Sequence, residues 1–363
     1  MRHSLTGAFI SASLLVCATA SAEAQFTVTE VTDGLKHPWG MAFLPNQDLL
    51  ITERNGGLRL LSKEGKLSGK ISGLPESVQM GQGGNLGIAI DPDFATNNKV
   101  YVCSSMAGDG GFGSEVHVGE FTGQELVNVK KVFTALPKKQ TPYHFGCRIV
   151  FDKQGMMFVS LGERGSFKEE AQNTDNHLGT VVRIHPDGSV PEDNPFVDGQ
   201  APEVFTYGHR NVQGMTVHPE TGEIWTHEHG PRGGDEVNIL SKGDNYGWPE
   251  ITYGINYNGS IITDKKEMEG MRQPLQYWDP SFAPSGMTFY TGDMFPEWQG
   301  DLFIGSLKFM YLKHLKIENG KILGEENLLQ DQQARFRDVV QGPDGAIYVL
   351  TDSSDGKVLK ISK

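Results

Sequence analysis

Residues 40–52 read GMAFLPNQDLLIT: an apolar strand, a turn built on Pro and Asn, and a second apolar strand. The same pattern returns five more times along the chain. The later copies are GIAIDPDF at 87–94 with KVYVC at 99–103, RIVFDKQGMMFVS at 148–160, GMTVHPETGEIWT at 214–226, GMTFY at 286–290 with GDLFIG at 300–305, and DVVQGPDGAIYVL at 338–350. Six copies predict six structural repeats, and such repeats have to be recognised before any fold is assigned.

The spacing of the copies indicates the kind of repeat. They begin at positions 40, 87, 148, 214, 286 and 338, so neighbouring copies are 47 to 72 residues apart. A repeat of about 45 residues with insertions, built from paired strands, is typical of β-propeller blades. The sequence therefore predicts an all-β protein, a six-bladed β-propeller with four-stranded antiparallel blades. The segment FTVTEV at 26–31 is expected to pair with the last blade and close the ring, because propellers avoid a long free strand edge.

The composition agrees with strands joined by tight turns. Of 363 residues, 45 are Gly and 18 are Pro, while 21% are charged. Gly without a strict triplet period excludes collagen, and the strand-forming repeats exclude a disordered chain. The formal net charge is −13 and no run of Lys or Arg stands out, so we expect no nucleic-acid partner.

Residues 1–24 have the pattern of a secretory signal peptide. An apolar stretch from Leu5 to Ala20 precedes the sequence AEA at 22–24, which is an A-x-A cleavage site. A lipoprotein signal ending at Cys17 is the alternative. We therefore expect a single six-bladed catalytic domain over residues 25–363, periplasmic or secreted, with no membrane span.

Two cysteines, Cys103 and Cys147, remain after cleavage. Two cysteines do not make a disulfide framework, so two buried thiols are the favoured interpretation. A Cys103–Cys147 bridge is the alternative, and the sequence does not decide between them.

Polar residues stand just before or inside four of the six repeats. They are Gln82, His144, Arg210 with Asn211, and Arg335 with Arg337. Because equivalent ends of the blades meet at the channel of a propeller, these side chains are expected to share one site. The arginines, joined by Lys308, predict a cavity for carboxylates or phosphates, and His144 suits a general base. The alternative is that these residues only cap strand ends.

A second polar group is THEHGPRGGDEVN at 226–238. His227 and His229 share one face of a strand, yet no third zinc ligand is visible. Backbone carbonyls around Gly230 and carboxylates such as Asp235 and Asp244 suit calcium better. An ordinary acidic loop is the alternative. The chain has no G-x-S-x-G elbow and no P-loop, which argues against serine hydrolases and nucleotide-dependent enzymes.

Eight short motifs carry a family resemblance. They are GQGGNLG at 81–87, HFGCR at 144–148, YGHRN at 207–211, HGPRGGDE at 229–236, GDNYGWP at 243–249, FAPSG at 282–286, SLK at 306–308 and RFRD at 335–338. As a set, they make the chain resemble the soluble sugar dehydrogenases that depend on pyrroloquinoline quinone (PQQ), in the aldose sugar dehydrogenase branch. The resemblance covers essentially the mature chain, and that family is a six-bladed propeller, in agreement with the repeat count.

The resemblance implies oxidation of an aldose at C1 to a lactone, with electrons passed to an external acceptor. It implies that His144 takes the proton of the anomeric hydroxyl while hydride moves to the C5 carbonyl of PQQ, and that Arg210 stabilises that carbonyl oxygen. One calcium ion would be held by the cofactor and the carbonyls of Gly230 and Pro231. A second, structural calcium would be held by Glu236 and Tyr246.

The positions that match the rest of the cofactor site are Gln82, Arg210, Asn211, His229, Tyr257, Lys308, Arg335 and Arg337. Two positions depart from the glucose-specific members, because Glu163 stands where they carry Asp beside the catalytic His, and His229 where they carry Gln. The chain is also shorter, which favours a broader aldose range. A calcium-dependent propeller hydrolase such as a lactonase, and a non-catalytic propeller that binds glycans or proteins, are the alternatives.

Overall fold

The computed structural model describes residues 25–363, so the expected signal peptide and its lipoprotein alternative lie outside the described residues. Strands dominate this range. The strands of its first half are β1 (Thr27–Leu35), β2 (Pro38–Phe43), β3 (Leu49–Glu53), β4 (Gly57–Leu61), β5 (Asn85–Ile90), β6 (Lys99–Gly108), β7 (Gly111–Phe121), β8 (Leu126–Thr134), β9 (Ile149–Phe151), β10 (Met157–Ser160), β11 (Val181–Ile184) and β12 (Val204–Thr206). Those of its second half are β13 (Val212–Val217), β14 (Ile224–Glu228), β15 (Asp235–Ile239), β16 (Gln276–Trp278), β17 (Pro284–Phe289), β18 (Leu302–Ser306), β19 (Leu312–Glu318), β20 (Lys321–Leu328), β21 (Phe336–Gln341), β22 (Ile347–Thr351) and β23 (Gly356–Ser362).

These strands form six antiparallel sheets within residues 25–363, which confirms the six-bladed propeller. In chain order the blades are β2–β4, β5–β8, β9–β12, β13–β16, β17–β20 and β21–β23, the last completed by β1. The first strand of each blade is the inner one, and it lies beside the inner strands of both neighbouring blades, around to β21 next to β2. As expected, β1 pairs with β23, with Thr27 opposite Ser362, and closes the ring.

The first blade has three regular strands, and an irregular segment takes the place of its fourth. Ser68 N–H donates to the Leu60 carbonyl at 2.7 Å, and Ile71 N–H donates to the Leu58 carbonyl at 2.7 Å. This segment therefore covers the outer edge of β4, as the fourth strand does elsewhere.

Helical structure in the described residues is limited to short pieces in the connections. They are α1 (Phe94–Asn97) and the 3₁₀ turns Lys168–Gln172, Pro296–Trp298 and Gln330–Gln332. Across residues 25–363, none of the helices has the length and apolar character needed to cross a bilayer.

The core is divided among the interfaces between blades. Residues 25–363 hold six clusters of buried apolar side chains, one for each boundary between neighbouring blades. The cluster between blades 2 and 3 also includes Trp39 of blade 1. Trp225 of blade 4, for example, packs edge-on against Phe289 of blade 5 with ring centroids 5.2 Å apart. Each large apolar side chain buried in this way contributes roughly 1.5–3 kcal/mol, so the ring is stabilised at every blade boundary.

Most inner strands are irregular at the end where they begin. In β2, β5, β13, β17 and β21 the pairing register shifts within the first few residues. Such bulges re-aim side chains next to functional sites. Three of the four strand starts that the sequence analysis singled out, those of β5, β13 and β21, are therefore places where the sheets depart from regular pairing.

A disulfide joins Cys103 on β6 to Cys147, two residues before β9. The favoured interpretation of two buried thiols is therefore wrong, and the alternative bridge is present. Both cysteines are fully buried in the cluster between blades 2 and 3, so the cross-link ties neighbouring blades together beside the segment that carries His144.

Candidate functional site

The site lies at one end of the channel because of how the strands run. Inner strand and second strand are antiparallel in every blade, so the start of the first lies beside the end of the second. A cavity of about 240 Å³ opens at this end. Its walls are Trp39, Arg54, Gln82, Leu86, Phe145, Gly146, Asn211, Gln213, His229, Ala283, Leu307, Arg335, Arg337 and Asp352. Predicted site residues from blades 2, 4 and 6 thus meet in one cavity.

A His–carboxylate pair stands beside this cavity. His144 Nδ1 lies 2.8 Å from Glu163 Oε1. The Glu163 side chain is 1% exposed, and its second oxygen, Oε2, has no hydrogen-bond partner among the described residues. A carboxylate accepts hydrogen bonds, so Nδ1 carries the proton and Nε2 keeps its lone pair. The longer side chain of Glu at position 163 therefore still reaches the imidazole.

The backbone around His144 is held in an uncommon conformation. His144 has φ 51°, and its N–H donates to Gln82 Oε1 at 2.8 Å. A Cβ added at Gly162 would overlap the His144 carbonyl, so this close approach requires glycine. Backbone strain of this kind persists only where neighbouring groups enforce it, and Gln82 and Gly162 are two of those neighbours.

Arg164 fixes the segment that precedes His144. Its guanidinium donates to the carbonyls of Thr141, at 2.5 Å, and Tyr143, and it lies 3.6 Å over the Phe145 ring. Burial lowers the pKa of Arg164 to about 10, while the Glu163 charge opposes that shift. Arg164 therefore stays charged and clamps residues on both sides of His144.

The environment keeps His144 neutral. Burial lowers its pKa, the hydrogen bond to Glu163 raises it in part, and the charges of Arg210 and Arg164 lower it further. A His with a lowered pKa is unprotonated at neutral pH and can accept a proton through Nε2.

The arginines of blade 6 share one carboxylate. Arg335 Nη2 and Arg337 Nη2 lie 3.0 and 2.9 Å from Asp352 Oδ2. Burial alone would raise the pKa of Asp352, but the charges and hydrogen bonds of Arg337 and Arg335 outweigh it, and the pKa falls well below its usual range. Part of the positive charge predicted for this cavity is therefore neutralised.

Two further predicted residues link blades 3, 4 and 5 in the cavity wall. Asn211 Oδ1 accepts from Gly146 N–H at 3.2 Å. His229 lies 2.5 Å from the Pro284 carbonyl through Nε2, and burial lowers its pKa to about 3. His229 is therefore a neutral donor that joins blade 4 to blade 5. Its neighbour His227 is fully buried away from the cavity walls.

Arg210 points towards the loop after β14. Its Nη1 donates to the carbonyls of His229 and Gly230 at 3.0 and 2.8 Å, and its backbone N–H donates to Glu228 Oε2 at 2.5 Å. The Gly230 N–H in turn donates to Asp235 Oδ1 at 2.9 Å. This network sets the direction of the Gly230 carbonyl.

A second, very small cavity of about 10 Å³ adjoins Arg210. Its walls include Glu228, Gly230, Glu236 and Tyr246. Burial and the charge of Glu228 raise the pKa of Glu236. Among residues 25–363 no three His, Cys, Asp or Glu side chains converge as a metal site, so a cation here would depend on two carboxylates and on carbonyls.

Besides the His144–Glu163 pair, three predicted residues line neither cavity. Lys308 is exposed, with its ammonium 4.9 Å over the Phe309 ring. Tyr257 is 73% exposed. Pro231 is buried against the loop at Gly254. The structure thus brings Gln82, Asn211, His229, Arg335 and Arg337 into one wall and leaves these three outside it.

Sequence reasoning missed four residues that shape the site. They are Arg54, Arg164, Glu228 and Asp352. Arg54, Glu228 and Asp352 lie at or just after the ends of second strands, whereas the first group of predicted residues lies before or at the start of inner strands. Antiparallel pairing in the folded sheet brings both positions to the same end of a blade.

Comparisons with known proteins agree with this fold and identify the family. A sequence model described as glucose/sorbosone dehydrogenase matches residues 35–360. The chain is 43% identical over 359 residues to the aldose sugar dehydrogenase YliI of Escherichia coli (strain K12), covering 96% of each chain. The crystal structure of the soluble aldose sugar dehydrogenase from Escherichia coli in its apo-form superposes with a TM-score of 0.90 at 42% identity, over 93% of this chain and 99% of that chain.

A structure described as the PQQ-bound form of an aldose sugar dehydrogenase from Streptomyces coelicolor has a TM-score of 0.78 at 26% identity, over 94% of this chain and 100% of that one. Family match, sequence identity and superposition all extend over nearly the whole described range. The resemblance found in the sequence is confirmed, and the chain belongs to the glucose/sorbosone dehydrogenase family.

Proposed function

We propose that this protein is a PQQ- and calcium-dependent dehydrogenase that oxidises aldoses at C1 to lactones and passes the electrons to an external acceptor. The observation that carries the proposal is the His144–Glu163 pair, 2.8 Å apart, beside a cavity walled by guanidinium groups. This arrangement belongs to a chain of the glucose/sorbosone dehydrogenase family.

His144 is the proposed base. Its Nε2 would take the proton of the anomeric hydroxyl, since Nδ1 is already occupied by the hydrogen bond to Glu163. Glu163 would fix the tautomer before the transfer and stabilise the imidazolium after it. Arg210, whose positive charge lowers the pKa of His144, would stabilise negative charge that develops nearby.

The cavity fits PQQ, which carries three carboxylates. Three guanidiniums, those of Arg54, Arg335 and Arg337, stand in its walls against one carboxylate, Asp352. The Nε atoms of Arg54 and Arg337 are buried without a hydrogen-bond partner among the described residues. When bound, the quinone would supply the acceptor for the hydride from C1. Gln82, Asn211 and His229 would hold it by hydrogen bonds.

Two exposed predicted residues, Lys308 and Tyr257, remain part of this proposal. Lys308 follows Leu307 of the cavity wall, and its exposed ammonium is free to turn towards an anionic ligand. Tyr257 would contact the cofactor or sugar from the long connection between β15 and β16. Because both side chains are exposed, neither needs to leave a packed position to do so.

The chemistry of the loop after β14 fits calcium. The Gly230 carbonyl has two lone pairs, so one remains for a cation while Arg210 uses the other. We propose Gly230 and Pro231 as ligands at the cofactor. For a structural ion, Glu236 and the Tyr246 carbonyl would be ligands, because a cation there would relieve the repulsion between Glu236 and Glu228.

We also propose that residues 1–24 direct export and that residues 25–363 work as one domain outside the cytoplasm. The Cys103–Cys147 disulfide supports this proposal, because such bridges persist in oxidising compartments.

No observation favours the two alternative functions. A calcium-dependent hydrolase would need carboxylates around a central metal, whereas the single carboxylate in the described cavity wall, Asp352, is paired with two arginines. A purely binding propeller would have no use for a buried carboxylate that orients His144.

The test is reconstitution. Protein purified without cofactor is mixed with PQQ and CaCl₂, and dye reduction is followed with glucose and other aldoses. We expect reduction that depends on sugar, PQQ and calcium together, with several aldoses accepted. Folded protein that binds PQQ yet shows no sugar-dependent reduction would overturn the proposed activity.

A further inference from the structure

Arg54 differs from the other guanidiniums of the cavity wall. Arg335 and Arg337 are both paired with Asp352. The Arg54 side chain has no hydrogen bond, ion pair or aromatic stacking partner among residues 25–363, and its Nε is buried. A buried donor without a partner is costly in a folded protein, so this arrangement needs an explanation.

The backbone of Arg54 is held firmly while its side chain is left unpaired. Its N–H donates to the His37 carbonyl at 3.1 Å. Gly84 packs against the Arg54 carbonyl so closely that an added Cβ would overlap it. Gly84 is itself fixed, because its N–H donates to Ser105 Oγ at 2.8 Å. Blades 1 and 2 thus position Arg54 from both sides.

The neighbouring arginine shows what an ordinary structural arginine looks like in this blade. Arg59 donates from Nε to the Ser68 carbonyl at 2.7 Å and from Nη1 to Glu53 Oε1 at 3.3 Å. Glu53 precedes Arg54 in the chain but is engaged by Arg59 and by the Lys36 N–H. The carboxylate closest in sequence to Arg54 therefore serves other groups.

We propose that Arg54 binds a carboxylate of the anionic ligand in this cavity, and that it is the main uncompensated charge for that ligand. The proposal rests on the proposed function, in which that ligand is PQQ. Guanidinium binds carboxylates through two parallel hydrogen bonds, and a cavity with three guanidiniums and one carboxylate has an excess of two positive charges.

The test is a PQQ titration of cofactor-free protein in excess calcium, followed by quenching of tryptophan fluorescence. Arg54→Gln is expected to weaken binding by about tenfold to a hundredfold, the value of a charged hydrogen bond. Arg54→Lys should recover part of the affinity, because it restores the charge but not the paired donors. The affinity of Arg54→Gln should also respond less to added salt than that of the wild type.

The matched control is Arg59→Gln, which removes a guanidinium from the same blade outside the cavity. It should bind PQQ within about twofold of the wild type, with folding of all variants checked by thermal melting. Wild-type affinity in folded Arg54→Gln would overturn the role of Arg54 and leave the proposed function standing. Equal weakening by Arg59→Gln would also overturn it, since the loss would then come from the blade. No PQQ binding by the wild type would overturn both proposals.

Discussion

The two sides of the cavity are built from the same blade positions but carry different chemistry. On the side of blades 3 and 4, a neutral imidazole is paired with one buried carboxylate, in His144 and Glu163. On the side of blades 6 and 1, guanidiniums outnumber carboxylates, and Asp352 is shared by Arg335 and Arg337. Each side pairs a basic side chain with a carboxylate. Only the imidazole of His144 is neutral and able to accept a proton at neutral pH.

The difference lies in whether the basic side chain of each pair is charged at neutral pH. Guanidinium stays charged at any physiological pH, so blades 6 and 1 can hold and orient an anion but cannot move a proton. Imidazole with a lowered pKa is neutral and can accept one. The side of blades 6 and 1 would therefore bind the anionic ligand, and the side of blades 3 and 4 would carry out the proton transfer.

The largest effect is expected from removing the base. His144→Ala should lower kcat by roughly 10²–10⁴-fold, the usual contribution of a general base. PQQ affinity should change little, because the cations on the other side of the cavity remain. Steady-state dye reduction and a PQQ titration measure the two quantities separately.

His185→Ala, a substitution outside both cavities, is the control for His144→Ala and should keep full activity. If His144→Ala lost activity and cofactor binding to the same extent, His144 would contribute to binding. The proposed separation of a binding side from a proton-transfer side would then be wrong.

Glu163→Gln is expected to have the next largest effect. The Gln amide can donate to Nδ1 as well as accept from it, so the tautomer is no longer fixed, and kcat/KM should fall by at least about tenfold. The Glu163 carboxylate raises the pKa of His144, so its removal lowers that pKa further. Because the base acts when unprotonated, the acidic limb of the pH profile should move to lower pH.

The chain offers a matched control in His177 and Glu203, a second His–Glu pair 3.2 Å apart outside both cavities. Glu203→Gln should leave the pH profile of kcat/KM in place. A shift of the acidic limb to higher pH in Glu163→Gln would contradict the assignment of His144 as the base.

The two sides also differ in how far the sequence predicted them. The six copies predicted the ring, and positions before the inner strands led to His144, Arg210 and Arg337. Arg54 and Asp352 were missed because their position depends on which strand ends meet, a property of the folded sheet. The Cys103–Cys147 pair was undecided for a similar reason: it joins two blades, and the distance between neighbouring blades is not written in the spacing of the cysteines.

A smaller effect, on stability, is expected from Asp352→Asn on the binding side. The change leaves two arginines without their carboxylate and should lower the free energy of unfolding by about 1–3 kcal/mol. The folded-state pKa of Asp352 is lowered, so this stabilisation is present above the unfolded value near about 4 and is lost as the pH falls below it. Urea unfolding between pH 3 and pH 7 should show the difference between the two proteins narrowing as the pH falls below about 4.

Asp193→Asn is the control for Asp352→Asn, because Asp193 pairs with Arg183 and Lys242 but its side chain is 64% exposed. An exposed pair contributes little to stability, because solvent screens the charges. If both variants lost the same free energy of unfolding, burial of Asp352 between the two arginines would add nothing to the stability that their ion pairs provide.

The smallest effect is expected from calcium removal. This prediction concerns Glu236, which lines the small cavity beside Arg210 together with Glu228. Burial and Glu228 raise the pKa of Glu236; without a cation, its ionisation therefore costs stability as pH rises above the ordinary Glu value. At pH 8, a chelator should lower the wild-type Tm by a few degrees, about 2 °C or more. Glu236→Gln should respond less, and the exposed Glu120→Gln as the wild type does. A wild-type Tm that a chelator leaves unchanged would remove Glu236 from the calcium assignment while leaving the His144–Glu163 pair untouched.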